Sequence, residues 1–290
     1  MTLRPVQLRR SWLFVPGADE KAHAAAARSG ADVMVHELED FTPPVLRPQA
    51  RRLAPALYES WRRAGAVVAV RVNPLEDCGR EDLAAVLPAR PDVVLMSKVE
   101  SPEQVRALDE ACRGAFELVP NIESAAGLRR AFDIARASAR VTAMLVASED
   151  MVADLGAERS RDGGELAHVR AHFLIECRAA RVEAIDCPYT FSDLKGAAAD
   201  TLAAARLGYR AKSLVLPAHA AAINRTLTPA PAEVRRARRI VSAFEKARAS
   251  GRERARVGGA LIEVPMYAAA RRLIERAQAF AALESKRPSR

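Results

Sequence analysis

Short apolar segments recur along the chain, and each is followed by a stretch with the spacing of a helix. The helical stretches, such as 19–31 and 123–138, are rich in alanine. Eight of the apolar segments have the length and aliphatic content of buried strands, and they are 11–17, 32–40, 67–73, 93–100, 116–123, 143–150, 183–189 and 212–218. Eight strands that alternate with helices predict a parallel sheet, and eight is the number that closes a (β/α)8 TIM barrel.

An open, doubly wound sheet is the alternative architecture for the same alternation. It is less favoured as a dinucleotide-binding fold, because no GxGxxG motif follows the first strand. After residue 225 the pattern changes to a long helix with Ile240, Val241 and Phe244 on one side and arginines on the other, then a glycine turn and a last helix. The sequence therefore predicts a TIM-barrel domain at 1–225 and a C-terminal helical extension at 226–290.

Most of the predicted strands are apolar until their last residues and then become polar. The polar residues at these ends are Glu37, Glu39, Asp40, Arg71, Asn73, Lys98, Glu100, Asn121, Glu123, Glu149, Asp150, Asp186 and Tyr189. In a parallel barrel all of these ends share one face, where barrel enzymes place their chemistry. Any single carboxylate could instead cap the following helix. Capping does not explain why two cations, Arg71 and Lys98, converge on the same face.

Carboxylates from neighbouring strands, without a cluster of His or Cys, are hard oxygen ligands. They favour Mg²⁺, with Mn²⁺ as the alternative, over Zn²⁺. Arg71 and Lys98 would hold an anionic substrate, and arginine suits a carboxylate best. This combination indicates lyase or aldolase chemistry on a hydroxy or keto acid. A Schiff base on Lys98 is a weaker alternative, because Glu100 on the same side of the strand would keep the amine charged.

The charge and composition exclude several classes of protein. Lysine and arginine number 45 against 36 acidic residues, a net charge of +9 that suits nucleic acid or small polyanions. The arginine-rich stretch 234–256 has no interleaved aromatic residues, so nucleic-acid binding is not expected. The four cysteines form no CxxC pair, and no segment approaches the ~20 apolar residues of a membrane span. We therefore expect a soluble, cytoplasmic protein without a membrane partner.

A set of motifs resembles the citrate lyase beta-subunit-like family of CoA-ester lyases in the HpcH/HpaI aldolase superfamily. The motifs span roughly 9–275 and read, in order, RRSWLFVPG, LED, RVNPL, KVES, VPNIESAAGL, SEDMVADLGAER, DGGELAHVR, AIDCPYT and TPAPAEVRRARRI. The resemblance implies a TIM barrel, Mg²⁺, and a homotrimer or a hexamer. It also implies a substrate that is a CoA thioester or a keto acid, with acyl-carrier protein as the alternative carrier.

The resemblance implies a role for particular residues of this chain. The metal ligands of the family fall on Glu123 and Asp150, and its carboxylate-binding arginine falls on Arg71. Its backbone site for the same carboxylate falls on the amides of Ser148, Glu149 and Asp150.

Three further acidic residues are predicted to be catalytic together with Arg71. The family's acidic LED pair falls on Glu39 and Asp40, near that arginine. An aspartate that reaches a neighbouring subunit as acid or base is replaced by Glu263, in the stretch IEVP.

The chain also departs from the family pattern. The family's LDLEDAV is HELEDFT here, so Glu37 replaces an aspartate and Phe41 replaces a small residue that leaves more room in the pocket. Ala147 replaces a glycine, which would strain the backbone if that position required a positive φ. The family's IHPRQV, near the CoA site, is LPAHAA at 216–221, and Glu263 is one methylene longer than aspartate.

These features favour a Mg²⁺-dependent lyase that cleaves a 3-hydroxy-acyl thioester of the citryl, malyl or citramalyl type to an acyl thioester and a keto acid. Two alternatives remain at this stage. One is a CoA-independent aldolase that acts on a hydroxy-keto acid. The other is a catalytically weakened, metal-binding partner subunit.

Overall fold

The computed structural model describes residues 3–114, 116–252 and 254–285. Eight parallel strands pair in chain order, and the first also pairs with the eighth, so the sheet closes into a barrel. This confirms the predicted TIM barrel. The strands are β1 (Ser11–Pro16), β2 (Val33–Glu37), β3 (Val67–Val72), β4 (Val93–Met96), β5 (Glu117–Ile122), β6 (Ala143–Val146), β7 (Glu183–Asp186) and β8 (Ala211–Leu214).

Helices follow the strands and cover the outside of the barrel. They are α1 (Glu20–Ser29), α2 (Arg47–Arg63), α3 (Arg80–Val86), α4 (Pro102–Cys112), α5 (Ala125–Arg129), α6 (Ala131–Arg136), α7 (Glu149–Asp154), α8 (Ala167–Ala180), α9 (Leu194–Leu207) and α10 (Ala220–Leu227). Their ends carry recognisable caps. For example, the Asp19 side chain accepts hydrogen bonds from two amides of the first turn of α1, and Ser101 forms a capping box with Gln104 on α4.

The two-residue period of the strands decides which side chains enter the barrel. On β3, Val67 and Ala69 belong to the interior cluster, while Val68, Val70 and Val72 pack against the helices. Continuing the alternation brings the next interior position, residue 71, to the carboxyl end of the strand. The same alternation brings residue 37 to the carboxyl end of β2 and residue 123 to the position just after β5. The sequence thus delivers charged groups to one face while the interior below remains apolar.

The chain divides into two compact units after Leu227. In the second unit, α11 (Pro231–Ala249) and α12 (Val264–Ser285) pack on each other, with a hairpin of β9 (Ala255–Val257) and β10 (Ala260–Ile262) between them in sequence. Its core contains Phe244, whose ring stacks on Tyr267 with centroids 4.8 Å apart. Within the described residues, no helix combines the length and the apolar character that crossing a bilayer demands.

Candidate active site

Arg71 lies at the centre of a cluster of acidic side chains at the carboxyl end of the barrel. Its Nε lies 2.5 Å from Glu37 Oε2, one terminal nitrogen lies 3.1 Å from Glu39 Oε2, and the other lies 3.4 Å from Glu123 Oε1. All four side chains are buried. Strand register contributes directly, since Glu37 and Arg71 are paired residues of β2 and β3. One guanidinium therefore holds carboxylates from the carboxyl ends of two strands, β2 and β5.

Two aromatic rings also lie against this guanidinium. The carbon at its centre is 5.1 Å from the ring centroid of Phe14 and 5.8 Å from that of Phe41. Phe14 comes from the buried interior, whereas Phe41 is about half exposed, at 41%. The larger residue at position 41 thus places a partly exposed ring beside the cation.

Lys98 contacts Glu39 of this group and a further acidic residue, Asp40. Its Nζ lies 2.6 Å from Glu39 Oε1 and 3.5 Å from Asp40 Oδ1. The hydrogen bond with Glu39 is the largest of the effects that raise the pKa of Lys98. A raised pKa opposes the Schiff-base mechanism, which needs an uncharged amine. The partner predicted from sequence is wrong, because Glu100 accepts a hydrogen bond from Ser124 at 2.5 Å instead.

The backbone at Lys98 has φ +53°, in the left-handed region. This conformation is costly for a residue with a Cβ and often marks functional positions. Ala147, by contrast, is not among the described residues with positive φ, so the alanine at that position introduces no left-handed strain.

Glu123 has one carboxylate oxygen without a hydrogen-bond partner. Its Oε1 faces Arg71 and accepts from the side chain of Asn121, whereas its Oε2 is buried and unpartnered. Burial, together with the nearby carboxylate of Asp150, raises the pKa of Glu123 to about 8 against the opposing charge of Arg71. A buried, unpartnered oxygen beside a second carboxylate is a donor set that fits a hard divalent cation.

The other carboxylates of the cluster differ in their electrostatics. Burial raises the pKa of Glu37 to about 7, although Arg71 opposes this. For Glu39, burial is outweighed by Arg71 and Lys98, so its pKa is lowered. Burial and the neighbouring Glu39 raise the pKa of Asp40. We call these seven residues the rim cluster: Glu37, Glu39, Asp40, Arg71, Lys98, Glu123 and Asp150.

Residues 148–150 lie where β6 leads into α7. Ser148 is the N-cap of this short helix, and the amides of a first helical turn have no partner inside the helix. The Glu149 side chain accepts hydrogen bonds from Thr190 at 2.8 Å and from Arg159 at 3.3 Å. Its carboxylate therefore binds neighbouring loop residues outside the rim cluster. Among the residues that the structure describes, no group of three or more His, Cys, Asp or Glu side chains could hold a metal by itself.

Glu263 lies at the junction of β10 and α12, in the second unit. Its side chain is 54% exposed, and its nearest cation is Arg254 at 3.8 Å. Leu261, Val264 and Met266 around it are large apolar residues that are also exposed. The predicted acid or base thus lies on an exposed apolar segment.

Asp186, another polar residue at a strand end, lies outside the rim cluster. It forms ion pairs with Arg170 at 2.7 Å and with Lys212 at 2.6 Å, and both cations also bind Asp200. We call these four residues the buried quartet. Sequence reasoning missed this group, although the signal was present: Ile185 faces the barrel interior, so alternation directs Asp186 towards the helices.

The chain is similar in sequence to proteins of one known family. Residues 10–217 match the family described as HpcH/HpaI aldolase/citrate lyase. The citrate lyase subunit beta of Escherichia coli K12 is 32% identical over 289 residues, covering 95% of each chain. A (3S)-malyl-CoA thioesterase of Cereibacter sphaeroides is 31% identical, covering 95% of this chain and 97% of its own.

A solved structure shows the same likeness in three dimensions. CitE of Mycobacterium tuberculosis, in complex with magnesium, acetoacetate and coenzyme A, superposes with a TM-score of 0.76 and 26% identity. The superposition covers 93% of this chain and 98% of that one. The chain therefore belongs to the HpcH/HpaI aldolase/citrate lyase family and is a lyase.

Proposed function

We propose that the protein is a Mg²⁺-dependent carbon–carbon lyase that cleaves a 3-hydroxy-acyl thioester of the citryl, malyl or citramalyl type. The products are an acyl thioester and a keto acid. The observation that carries this proposal is the buried Oε2 of Glu123, which has no hydrogen-bond partner and lies near the carboxylate of Asp150, while Oε1 of the same side chain contacts Arg71. Citrate lyase subunits and the CitE complex with magnesium, acetoacetate and coenzyme A support the choice of substrate and metal.

Glu123 and Asp150 would hold the metal, with Mn²⁺ as the alternative ion. A bound divalent ion supplies a Lewis acid that polarises substrate oxygen and offsets developing negative charge. Two carboxylates leave coordination positions for water and substrate, as Mg²⁺ sites commonly do.

The remaining residues of the rim cluster would bind and orient the substrate. Arg71 and Lys98 are the two cations of the cluster, and both suit an anionic acid group. Glu37 and Glu39 hold Arg71 in place, and Glu39 and Asp40 hold Lys98. The amides of residues 148–150 would add neutral donors for the same carboxylate. The substrate acid is thereby fixed before the bond breaks, which lowers the entropic part of the barrier.

Glu263 would accept the proton of the substrate hydroxyl. Loss of this proton forms the carbonyl of the keto acid as the adjacent carbon–carbon bond breaks. The electron pair of that bond passes to the thioester fragment as an enolate, which then takes up a proton to give the acyl thioester. The exposed apolar residues around Glu263 support docking of this segment at the rim of a neighbouring subunit, in a homotrimer or hexamer.

Mixing two inactive variants tests the contribution from a second subunit. E263Q and R71A would each be inactive alone, because each lacks one half of the site. If Glu263 serves a neighbouring subunit, mixed oligomers contain some sites with both wild-type residues and recover part of the activity. The absence of recovery in mixed oligomers, verified by mass spectrometry, would exclude this arrangement.

A second candidate is a CoA-independent aldolase. It is favoured by segment 216–221, which replaces the family's IHPRQV near the CoA site and contains His219. This residue is buried, and its Nε2 lies 3.4 Å from the carbonyl oxygen of Ser192, so its ring is not presented to solvent. Calorimetry with CoA thioesters and with the free acids separates the two candidates. Acyl-carrier protein as the thioester carrier would show as turnover of the protein-bound substrate alone.

Turnover of a panel of citryl, malyl and citramalyl thioesters with Mg²⁺ tests the main proposal. We expect turnover of at least one, and its loss with EDTA. If no thioester is cleaved and neither oxaloacetate, glyoxylate nor pyruvate binds, the proposal fails. Tight Mg²⁺ binding without any turnover would instead favour a metal-binding partner subunit.

A further inference from the structure

Gly17, at the end of β1, is bound through both of its backbone polar groups by side chains from the segment around β2. Its amide donates to Thr42 Oγ1 at 2.8 Å, and the same hydroxyl donates to the Glu37 carbonyl at 2.6 Å. Thr42 thus uses one oxygen to join two strand ends. All of these groups are buried, so each hydrogen bond would leave an unsatisfied group if it were removed.

The carbonyl of Gly17 is bound by His36. His36 Nε2 lies 3.1 Å from this oxygen, and Nδ1 lies 3.1 Å from the hydroxyl of Tyr58. A carbonyl only accepts, so Nε2 carries the hydrogen. Burial lowers the pKa of His36 to about 3, so the ring is neutral and Nδ1 accepts from Tyr58. The tautomer of His36 is therefore fixed by its two partners.

The strand ends approach each other so closely that only glycine fits at position 17. A Cβ built there would lie 2.3 Å from the Glu37 carbonyl oxygen and 2.9 Å from the Ala50 Cβ. We call Gly17, His36, Thr42 and Tyr58 the Gly17 clamp. Its two contact points on the β2 side, residues 36 and 42, lie immediately before and after the acidic segment 37–41.

The segment between these two points is also internally tied. The Glu39 amide donates to Glu37 Oε1 at 2.6 Å, and the Thr42 amide donates to the Glu39 carbonyl at 3.1 Å. The Glu39 side chain faces both cations, since its Oε2 lies 3.1 Å from Arg71 and its Oε1 lies 2.6 Å from Lys98 Nζ. A shift of the backbone at residue 39 would therefore change its contacts with both cations of the rim cluster.

We infer that Thr42 and His36 are positioning residues that hold the acidic segment 37–41 against Arg71 and Lys98. Neither reaches the substrate; each acts through Gly17 and the backbone of Glu37 and Glu39. The effect on catalysis rests on the proposed function, whereas the effect on the segment itself does not. The two effects can be measured separately.

Hydrogen exchange of backbone amides tests the effect on the segment. T42V removes the hydroxyl and keeps the shape of the side chain, and T42S is the matched control that keeps the hydroxyl. We expect amides at 17 and 38–42 to exchange about tenfold faster in T42V, and within about twofold of wild type in T42S. Exchange at these amides that is unchanged in T42V would overturn the inference.

Kinetics and metal binding then test the consequence for catalysis. We expect kcat/KM to fall about tenfold in T42V and to be retained in T42S, with the same Mg²⁺ affinity in both, since Glu123 and Asp150 lie on other elements. Equal losses in T42V and T42S would overturn the positioning role. If wild-type protein cleaves no thioester while T42V still shows faster exchange, the proposed function fails and the clamp stands.

Discussion

The rim cluster and the buried quartet are made of the same kinds of side chain, yet they differ in charge balance. The quartet has two cations and two carboxylates, and each cation lies within 2.8 Å of both carboxylates. The rim cluster has five carboxylates for two cations. The buried Oε2 of Glu123 there has no hydrogen-bond partner, and that of Glu39 has only its ion pair with Arg71 at 3.1 Å, whereas no buried side-chain atom of the quartet lacks a hydrogen-bond partner in the part of the chain that the structure describes.

This difference supports the proposal that the quartet is structural and that the rim cluster binds a cation. A buried group in which every charge is paired does not need a ligand. Removing one member leaves an unpaired charge in an apolar environment. A group with more carboxylates than cations and a buried oxygen without a hydrogen-bond partner would be completed by a cation. Burial is the main reason that the pKa of Glu123 is raised to about 8, and the nearby carboxylates of Asp150 and Glu39 act in the same direction.

The largest expected effect is on the quartet. D186N removes a carboxylate that binds both Arg170 and Lys212, and leaves their charges incompletely paired in a buried site. We expect the free energy of unfolding to fall by about 3–5 kcal/mol. Denaturant titration measures this, and kcat per folded molecule should not change. A large loss of kcat in folded D186N would show that the quartet is also functional.

The next effect concerns the rim cluster. E123Q keeps the shape of the side chain and removes the charge that would bind the metal. We expect turnover to fall about 10²–10³-fold, with weaker Mg²⁺ binding, because the ion is held less well. Steady-state kinetics across a Mg²⁺ titration measures both. Mg²⁺ affinity equal to that of wild type would remove Glu123 from the metal site.

A smaller effect on Mg²⁺ affinity is expected when the pH is changed. Because the pKa of Glu123 is about 8 in the metal-free site, its carboxyl is protonated below that pH and must lose the proton to bind metal. We expect Mg²⁺ affinity to fall about tenfold for each pH unit below 8, and to level off above it. Calorimetry in two buffers of different ionisation enthalpy also measures the released proton. E123Q should lack this dependence, and a flat profile in wild type would contradict it.

The smallest effect concerns the backbone at Lys98. Both K98A and K98G remove the amine, but only glycine adopts φ +53° without strain. We expect K98G to be about 1 kcal/mol more stable than K98A in thermal unfolding. Lys195 on α9 is a matched control, because there glycine should be the less stable replacement. The same order at both positions would argue against strain at Lys98.

The barrel was predictable because eight aliphatic segments alternate with helices, which few architectures accommodate. The ends of β2, β3 and β5 were predictable for the same reason, since the two-residue period carries residues 37, 71 and 123 to the interior side. Asp186 shows where the reasoning was incomplete. Its position at a strand end suggested the rim, and only the phase of β7 reveals that it packs outside the barrel.

Ion pairs between residues that are far apart in the sequence were harder to predict. The sequence suggested Glu100 as the partner of Lys98 because they are close in the chain, but the left-handed backbone at Lys98 accompanies a pairing with Glu39 and Asp40. Thr42 and His36 carried no signal of chemistry at all. Their role depends on Gly17, and contacts between strand ends become visible only when the barrel is closed.

The close approach at Gly17 also decides where this enzyme can be varied to alter its substrate range. Any side chain there would collide with the backbone of the neighbouring strand, so a library at that position would contain mainly misfolded protein. Phe41 lies beside the guanidinium of Arg71, and its ring is partly exposed. Directed evolution of selectivity should therefore begin at residue 41 and leave residue 17 untouched.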